Sequence, residues 1–170
     1  MTPMGLRGGL THMVFHALIK ITLFFCGGAI LYKTKREYLY EIRGIGKKMP
    51  VVMGCFFVAA LGLIGVPPLA GFISKYNLAT AAASEGSFLA IAGIYVLIIS
   101  ALLTAIYLFS VVIRAFFPSN DFDMESIKDV EDPNWFMKLP LIVFCIAIVV
   151  LGFCSIPLVD YLTDIASGLF

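Results

Sequence analysis

Hydrophobic residues fall into four long segments that are separated by short polar stretches. The segments cover residues 10–32, 51–83, 88–117 and 139–158. A membrane core of about 30 Å requires about 20 apolar residues in a helix, so each segment is long enough to cross it. The pattern therefore predicts an all-α membrane protein with about four transmembrane helices.

The second hydrophobic segment contains a predicted helix break at residues 65–71. The sequence around it reads GVPPLAGFISK over residues 65–75. Two adjacent prolines remove two backbone donors and disfavour helical geometry in the residues before them, while the glycines allow unusual dihedral angles. Inside a membrane such a break is tolerated only where protein or a water-filled cavity satisfies the freed backbone groups. We therefore expect the helix to be interrupted here and to resume toward Lys75.

The charges of the linkers predict the topology. The linker 33–49 is basic, and short loops rich in Lys and Arg face the cytoplasm. The linker 118–138 is acidic and is interpreted as a solvated connector on the same side, because the EF-hand pattern that would favour a calcium site is absent. Counting spans then places both termini and the turn 84–87 outside. The third and fourth segments carry little chemistry and are interpreted as scaffold.

Four ionisable side chains lie within the hydrophobic segments, namely His12, His16, Lys20 and Lys75. The first three are spaced four residues apart and so share one helix face. Ionisable groups inside a membrane are costly and mark ion pathways or proton relays, and histidine titrates near neutrality. We interpret the four as a candidate proton relay in which Lys20 and Lys75 approach each other. The structural alternatives are a solvated His12, a His16 that only bonds a neighbouring helix, and a Lys75 that reaches the interface.

Composition supports the membrane assignment and excludes several classes of function. The chain is 61% hydrophobic and 14% charged, whereas soluble domains carry about 25% charged residues. A net charge of +1 leaves no basic surface for nucleic acid. The cysteines have no zinc or iron–sulfur spacing and are expected to be buried free thiols. Two histidines one turn apart on one helix cannot be opposite axial ligands of a haem, so we expect no cofactor and no metal. The four cysteines are Cys26, Cys55, Cys145 and Cys154.

Two motifs resemble a known family. HMVFHALIKITLFF at 12–25 and GVPPLAGFISK at 65–75 resemble the antiporter-like, proton-pumping membrane subunits of respiratory complex I. Relatives of those subunits include Mrp-type sodium/proton antiporter subunits and the membrane arms of energy-converting hydrogenases. The stretch RGIGKKMP at 43–50 is similar to the connector between the two motifs in that family. The resemblance covers about residues 5–117, and the last hydrophobic segment fits by hydropathy alone.

The resemblance implies roles for the ionisable residues. His12, His16 and Lys20 match the histidines and lysine of the family's central hydrophilic axis. Lys75 matches the ionisable residue of its second broken helix, which is taken to lead to the outer-side exit. Thr11 and Ser74 are weaker matches.

The resemblance also implies a division of the chain. Residues 1–117 correspond to the carboxy-terminal part of a proton-antiporter-like module, 118–138 to an acidic cytoplasmic loop, and 139–170 to a final transmembrane helix and tail. Complete family members have many more helices, and the first repeat, with its essential glutamate and lysine, has no counterpart here. A missing segment or a separate chain that carries this repeat is therefore an expected partner.

The implied function is translocation of protons, or of sodium ions, across the inner or plasma membrane. The chain would be a multi-pass, non-redox subunit of an NADH:quinone oxidoreductase-like or membrane-bound hydrogenase complex, with other membrane subunits and the lipid bilayer as partners. Two alternatives stay open. One is a component of a stand-alone Mrp-type sodium/proton antiporter, and the other is a structural remnant that does not transport.

Overall fold

The computed structural model describes residues 3–118 and 127–168, and these form a helical bundle. No strand occurs among these residues, so the predicted all-α class is confirmed. Three helices are long and apolar enough to cross a membrane, and a fourth apolar helix, α2, is shorter. The helices are α1 Pro3–Thr34, α2 Pro50–Ile64, α3 Ala70–Glu85, α4 Phe88–Phe116, α5 Trp135–Phe153 and α6 Ile156–Ser167, with a 3-10 turn at Ile45–Lys47.

The two parts of the broken helix, α2 and α3, pack along the length of α1. Its 32 residues are about 48 Å long, which exceeds the membrane core. Its carboxy-terminal half packs against α2, where Cys26 and Met53 share one buried cluster. Its amino-terminal half packs against α3, where His12 lies beside Ser74. Because α2 and α3 follow each other along α1, the break between them comes to the middle of α1, at Ile19.

The predicted helix break is confirmed and occupies residues 65–69. Gly65 ends α2 with a φ of 92°, a left-handed conformation that favours glycine, and its N–H bonds to the Leu61 and Gly62 carbonyls. The Pro67–Pro68 peptide bond is cis. Leu69 is extended, and α3 begins directly after it. The two apolar helices are therefore separate rods that meet at an irregular corner.

The carboxy-terminal end differs from the expectation of a single final helix over the hydrophobic segment 139–158. Helix α5 stops at Phe153, and a further helix, α6, begins at Ile156 with Pro157 in its first turn. Proline has no backbone N–H to donate and favours the first turn of a helix, so it starts α6 rather than ending α5. The expectation of buried thiols is wrong for Cys154, which lies at this corner and is exposed.

Both long linkers meet at one end of the bundle. Gly44 N–H bonds to the Arg114 carbonyl, so the first linker lies against the end of α4. The Asp132 carboxylate accepts hydrogen bonds from the Val51 and Val52 N–H groups and so caps α2. The two linkers therefore share one side of a membrane that the helices cross, and which side this is stays a prediction. The first acidic residues of the second linker, Asp121, Asp123 and Glu125, lie outside the described residues.

Candidate functional site

The four ionisable residues singled out in the sequence line one cavity of about 540 Å³. His12, His16 and Lys20 come from successive turns of α1, and Lys75 comes from the first half of α3. Their spacing places the α1 residues on the face that looks toward α3 and α4. We call this space the polar cavity. The structure thus brings together all four residues of the predicted relay, whose role stays a prediction.

Lys75 supplies hydrogen-bond donors to carbonyl groups that the helix break leaves without a partner. Its Nζ donates to the carbonyl oxygens of Leu63 and Ile64, each at 2.8 Å. These carbonyls belong to the last turn of α2, where the helix no longer supplies N–H donors. An ammonium group satisfies them with charge-assisted hydrogen bonds, which are stronger than neutral ones. Gly65 leaves room for this arrangement, because a Cβ there would lie 3.0 Å from Lys75 Cδ.

His12 is tied to α3 through Ser74. Its Nδ1 lies 3.2 Å from Ser74 Oγ, and the same hydroxyl donates to the Gly71 carbonyl at 3.0 Å. A hydroxyl has a single proton, so with that proton used the Ser74 oxygen accepts from the imidazole N–H. The His16 ring follows on α1, and its centroid is 5.3 Å from that of His12. The two rings therefore form a short line of titratable groups that begins beside Lys75.

Lys20 lies at the other end of the polar cavity. Its Nζ is 6.0 Å from the centre of the Phe24 ring, within cation–π range. The residue also borders a smaller neighbouring cavity of about 180 Å³ that Tyr107 lines. The lining residues of the polar cavity, all of them within the described part of the chain, carry cationic and titratable groups but no carboxylate.

The sequence analysis missed the contribution of α4. Ser100, Thr104 and Tyr107 line the polar cavity opposite the α1 residues, so α4 is more than scaffold. The signal was available, since positions i, i+4 and i+7 lie on one helix face. Ser110, one turn further on, returns its hydroxyl to the Tyr107 carbonyl of its own helix.

No group of three or more His, Cys, Asp or Glu side chains close enough to hold a metal ion occurs in the described ranges 3–118 and 127–168. At the helix break, the carbonyl oxygens of Leu63 and Ile64 already accept hydrogen bonds from Lys75 Nζ. The imidazole, ammonium and hydroxyl groups that line the polar cavity are proton donors and acceptors.

Comparison with known proteins gives consistent matches. A family model described as "NADH:quinone oxidoreductase/Mrp antiporter, TM" matches residues 1–102. NADH-quinone oxidoreductase subunit N of Desulforudis audaxviator is 42% identical over 113 residues, which are 66% of this chain and 22% of that protein. Subunit L of Rickettsia conorii is 34% identical over 140 residues, 82% of this chain and 21% of that protein. The chain therefore spans about a fifth of the length of these relatives.

A solved structure shares the fold. A chain of the Mrp complex from Dietzia sp. DQ12-45-1b superposes with a TM-score of 0.82 at 21% identity. The match covers 99% of this chain and 38% of that chain, so α5 and α6 are included in it. The fold of all six helices is therefore found within a larger membrane subunit.

Proposed function

Since this chain belongs to the NADH:quinone oxidoreductase/Mrp antiporter family of transmembrane proteins, we propose that it forms one section of an ion path through the membrane. The ion would be the proton, carried by the relay His12, His16, Lys20 and Lys75. The observation that carries the proposal is the position of Lys75, whose ammonium bonds the free carbonyls of the helix break at the edge of the polar cavity. A lysine inside a membrane costs free energy, and lysines retained there usually belong to a functional site.

Lys75 can couple its own charge to the geometry of the break. With the proton bound, two charge-assisted hydrogen bonds hold the end of α2 against α3. When the proton leaves, the charge that strengthens these bonds is lost, and the freed carbonyls need water instead. Proton occupancy and the hydration of the break therefore change together.

The histidines provide the next steps of the relay. A histidine can accept a proton on one ring nitrogen and release another from the opposite one. His12 and His16 lie one turn apart, and both border the polar cavity with Lys75. The hydroxyl groups of Ser100, Thr104 and Tyr107 can hold water between these rings and Lys20. A proton entering near Lys20 would thus reach Lys75 through short hops.

Partners follow from the incomplete polar cavity. Ser100 and Tyr107 are exposed, so the cavity opens past α4. A cationic cavity cannot open to lipid, so other membrane subunits or a further segment carrying the first repeat would cover it. Residues 1–117 would then be the carboxy-terminal part of the module, 118–138 a cytoplasmic connector, and 139–170 a final helix and tail. The assembly would be a non-redox part of a complex in the inner or plasma membrane.

The relay is tested by replacing its lysines in the assembled complex. Lys20→Ala and Lys75→Ala are each expected to lower ion pumping in sealed vesicles by at least about a hundredfold, the usual contribution of a proton-transfer group. Lys47→Ala serves as the matched control, because that lysine is exposed in the first linker. Pumping at the unaltered proton-to-electron ratio in both variants, with normal assembly, would refute the relay.

A second candidate is exchange of sodium for protons without a redox partner. The matching family includes Mrp antiporters, and the fold is shared with an Mrp complex. Sodium-dependent proton uptake by vesicles that lack any electron donor would favour it. A purely structural subunit is indicated instead if the complex fails to assemble without this chain while Lys75→Ala leaves transport unaffected.

A further inference from the structure

A line of polar contacts continues beyond the polar cavity toward the amino-terminal end of α1. Helices α1 and α3 are antiparallel here, so lower numbers on α1 face higher numbers on α3. After the His12–Ser74 contact comes a hydrogen bond of 3.5 Å from Arg7 Nη2 to Asn77 Oδ1. We call Arg7 and Asn77 the end pair. No other polar pair between α1 and α3 separates it from the His12–Ser74 contact among the described residues.

The end pair is not an ordinary surface contact. Asn77 is only 9% exposed, and Arg7 is partly buried. Arg7 Nε is inaccessible and has no acceptor among the described residues. A buried polar atom without a partner costs free energy, and an arginine near a helix end normally extends to water. Arg7 instead directs its guanidinium group into the α1–α3 interface, which indicates a role there.

Between α1 and α3, the backbones around the end pair leave no open passage. A Cβ at Gly8 would lie 3.2 Å from the Asn77 carbonyl oxygen and 3.2 Å from Leu78 Cα, so α1 and α3 are in close contact. Thr11 is fully buried between the two polar contacts, and its hydroxyl donates a hydrogen bond to the Arg7 carbonyl. Water that follows the α1–α3 interface from this end of the bundle can therefore reach Ser74 and His12 only if the side chains of the end pair move. A separate apolar cavity of about 250 Å³ lies beside this interface, between α3 and α4.

We propose that Arg7 and Asn77 are the closure of the ion path at the amino-terminal end of α1. This inference rests on the proposed function, because a closure has a purpose only where ions move. The hydrogen bond between the two residues is long at 3.5 Å, so it is weak enough to break repeatedly. The fixed positive charge of Arg7 also opposes the entry of metal cations when the closure is shut. Opening requires the guanidinium to swing away from Asn77.

The closure is tested by the accessibility of Ser74 to an aqueous reagent. In the assembled complex, with the four native cysteines replaced, Ser74→Cys is exposed to a membrane-impermeant anionic methanethiosulfonate. Arg7→Ala and Asn77→Ala are each expected to raise the labelling rate by about tenfold, the factor that the loss of one hydrogen bond produces. Because the reagent is anionic, loss of the arginine charge alone would slow its reaction with Ser74→Cys. A faster reaction in the Arg7→Ala background therefore indicates that the closure has opened.

Controls separate opening of the closure from other effects. Met13→Ala changes an exposed side chain two turns along the same helix and should leave the rate unchanged. Ser87→Cys, exposed in the turn after α3, should react quickly in every background and shows that the reagent reaches this end. Unchanged labelling of Ser74→Cys in the Asn77→Ala background, or rapid labelling with the end pair intact, would overturn the proposal. Labelling requires no pumping, so its outcome is independent of the lysine test of the relay.

Discussion

Lys75 combines a structural role with a proposed functional one. Its two hydrogen bonds to Leu63 and Ile64 each contribute about 1.5–3 kcal/mol, the range for bonds to charged groups. Removing the side chain therefore disturbs the helix break as well as any proton transfer. A substitution that keeps the bonds but removes the titration separates the two roles.

Lys75→Arg provides that separation. The guanidinium group has several donors for the two carbonyls and stays protonated under all ordinary conditions. We expect normal insertion and assembly but ion pumping reduced by at least about a hundredfold, since the group cannot release its proton. Pumping by the assembled complex in sealed vesicles is the measurement. Pumping at the unaltered rate would contradict a role for Lys75 as a proton carrier.

At the scale of the elements, two glycines let neighbouring backbones support the helix break. Gly71, in the first turn of α3, faces the Gly62 carbonyl so closely that a Cβ would overlap it. Gly152, near the end of α5, faces the Pro68 carbonyl in the same way. The break is therefore enclosed by α2 on one side and α5 on the other. This enclosure explains how an irregular stretch persists within a membrane bundle.

Gly71→Ala is expected to destabilise the bundle. The added methyl group would lie 1.8 Å from the Gly62 carbonyl oxygen, so α3 must shift away from α2 at a cost of about 1–3 kcal/mol. The midpoint of thermal unfolding of the assembled complex in detergent should fall. Gly28→Ala is the matched control, because nothing lies within 4 Å of a Cβ at that position of α1. An equal midpoint for the two variants would count against close packing at the break.

At the scale of the whole molecule, the polar contacts are segregated by depth. One end holds both linkers, with Asp132 capping α2. The opposite end holds the turn between α3 and α4 and the end pair Arg7–Asn77. The polar cavity and the broken helix lie between these ends. Such an order suits a path that crosses the membrane, with closure possible at an end.

Labelling of cysteines from one side of the membrane tests this arrangement. Lys47→Cys and Glu131→Cys, both at exposed positions in the linkers, should react from the cytoplasmic side, because the first linker is basic. Ser87→Cys should react only from the opposite side. An impermeant maleimide applied to sealed vesicles of known orientation gives the answer. Reaction of the Lys47 and Ser87 positions from a single side would contradict the topology.

The sequence alone determined the class of the protein and the place of the helix break, and it singled out the four residues of the proposed relay. Long apolar segments have few folds open to them in a membrane, so their number predicts the architecture. The break follows from local chemistry, since Pro67 and Pro68 lack backbone donors. His12, His16 and Lys20 share a helix face for geometric reasons that hold in any helix. The resemblance to a known family rested on these same residues.

Only the tertiary structure decided what these residues contact. Pairings between distant segments, such as Lys75 with the end of α2, Arg7 with Asn77 and Gly152 with Pro68, depend on how helices pack. The role of α4 in the polar cavity was missed because the shared helix face of Ser100, Thr104 and Tyr107 does not by itself show which helix it meets. The α5–α6 corner was missed because Pro157 is compatible both with the end of one helix and with the start of another. Helix periodicity fixes the face of a side chain, whereas the partner that meets this face depends on the packing of the whole bundle.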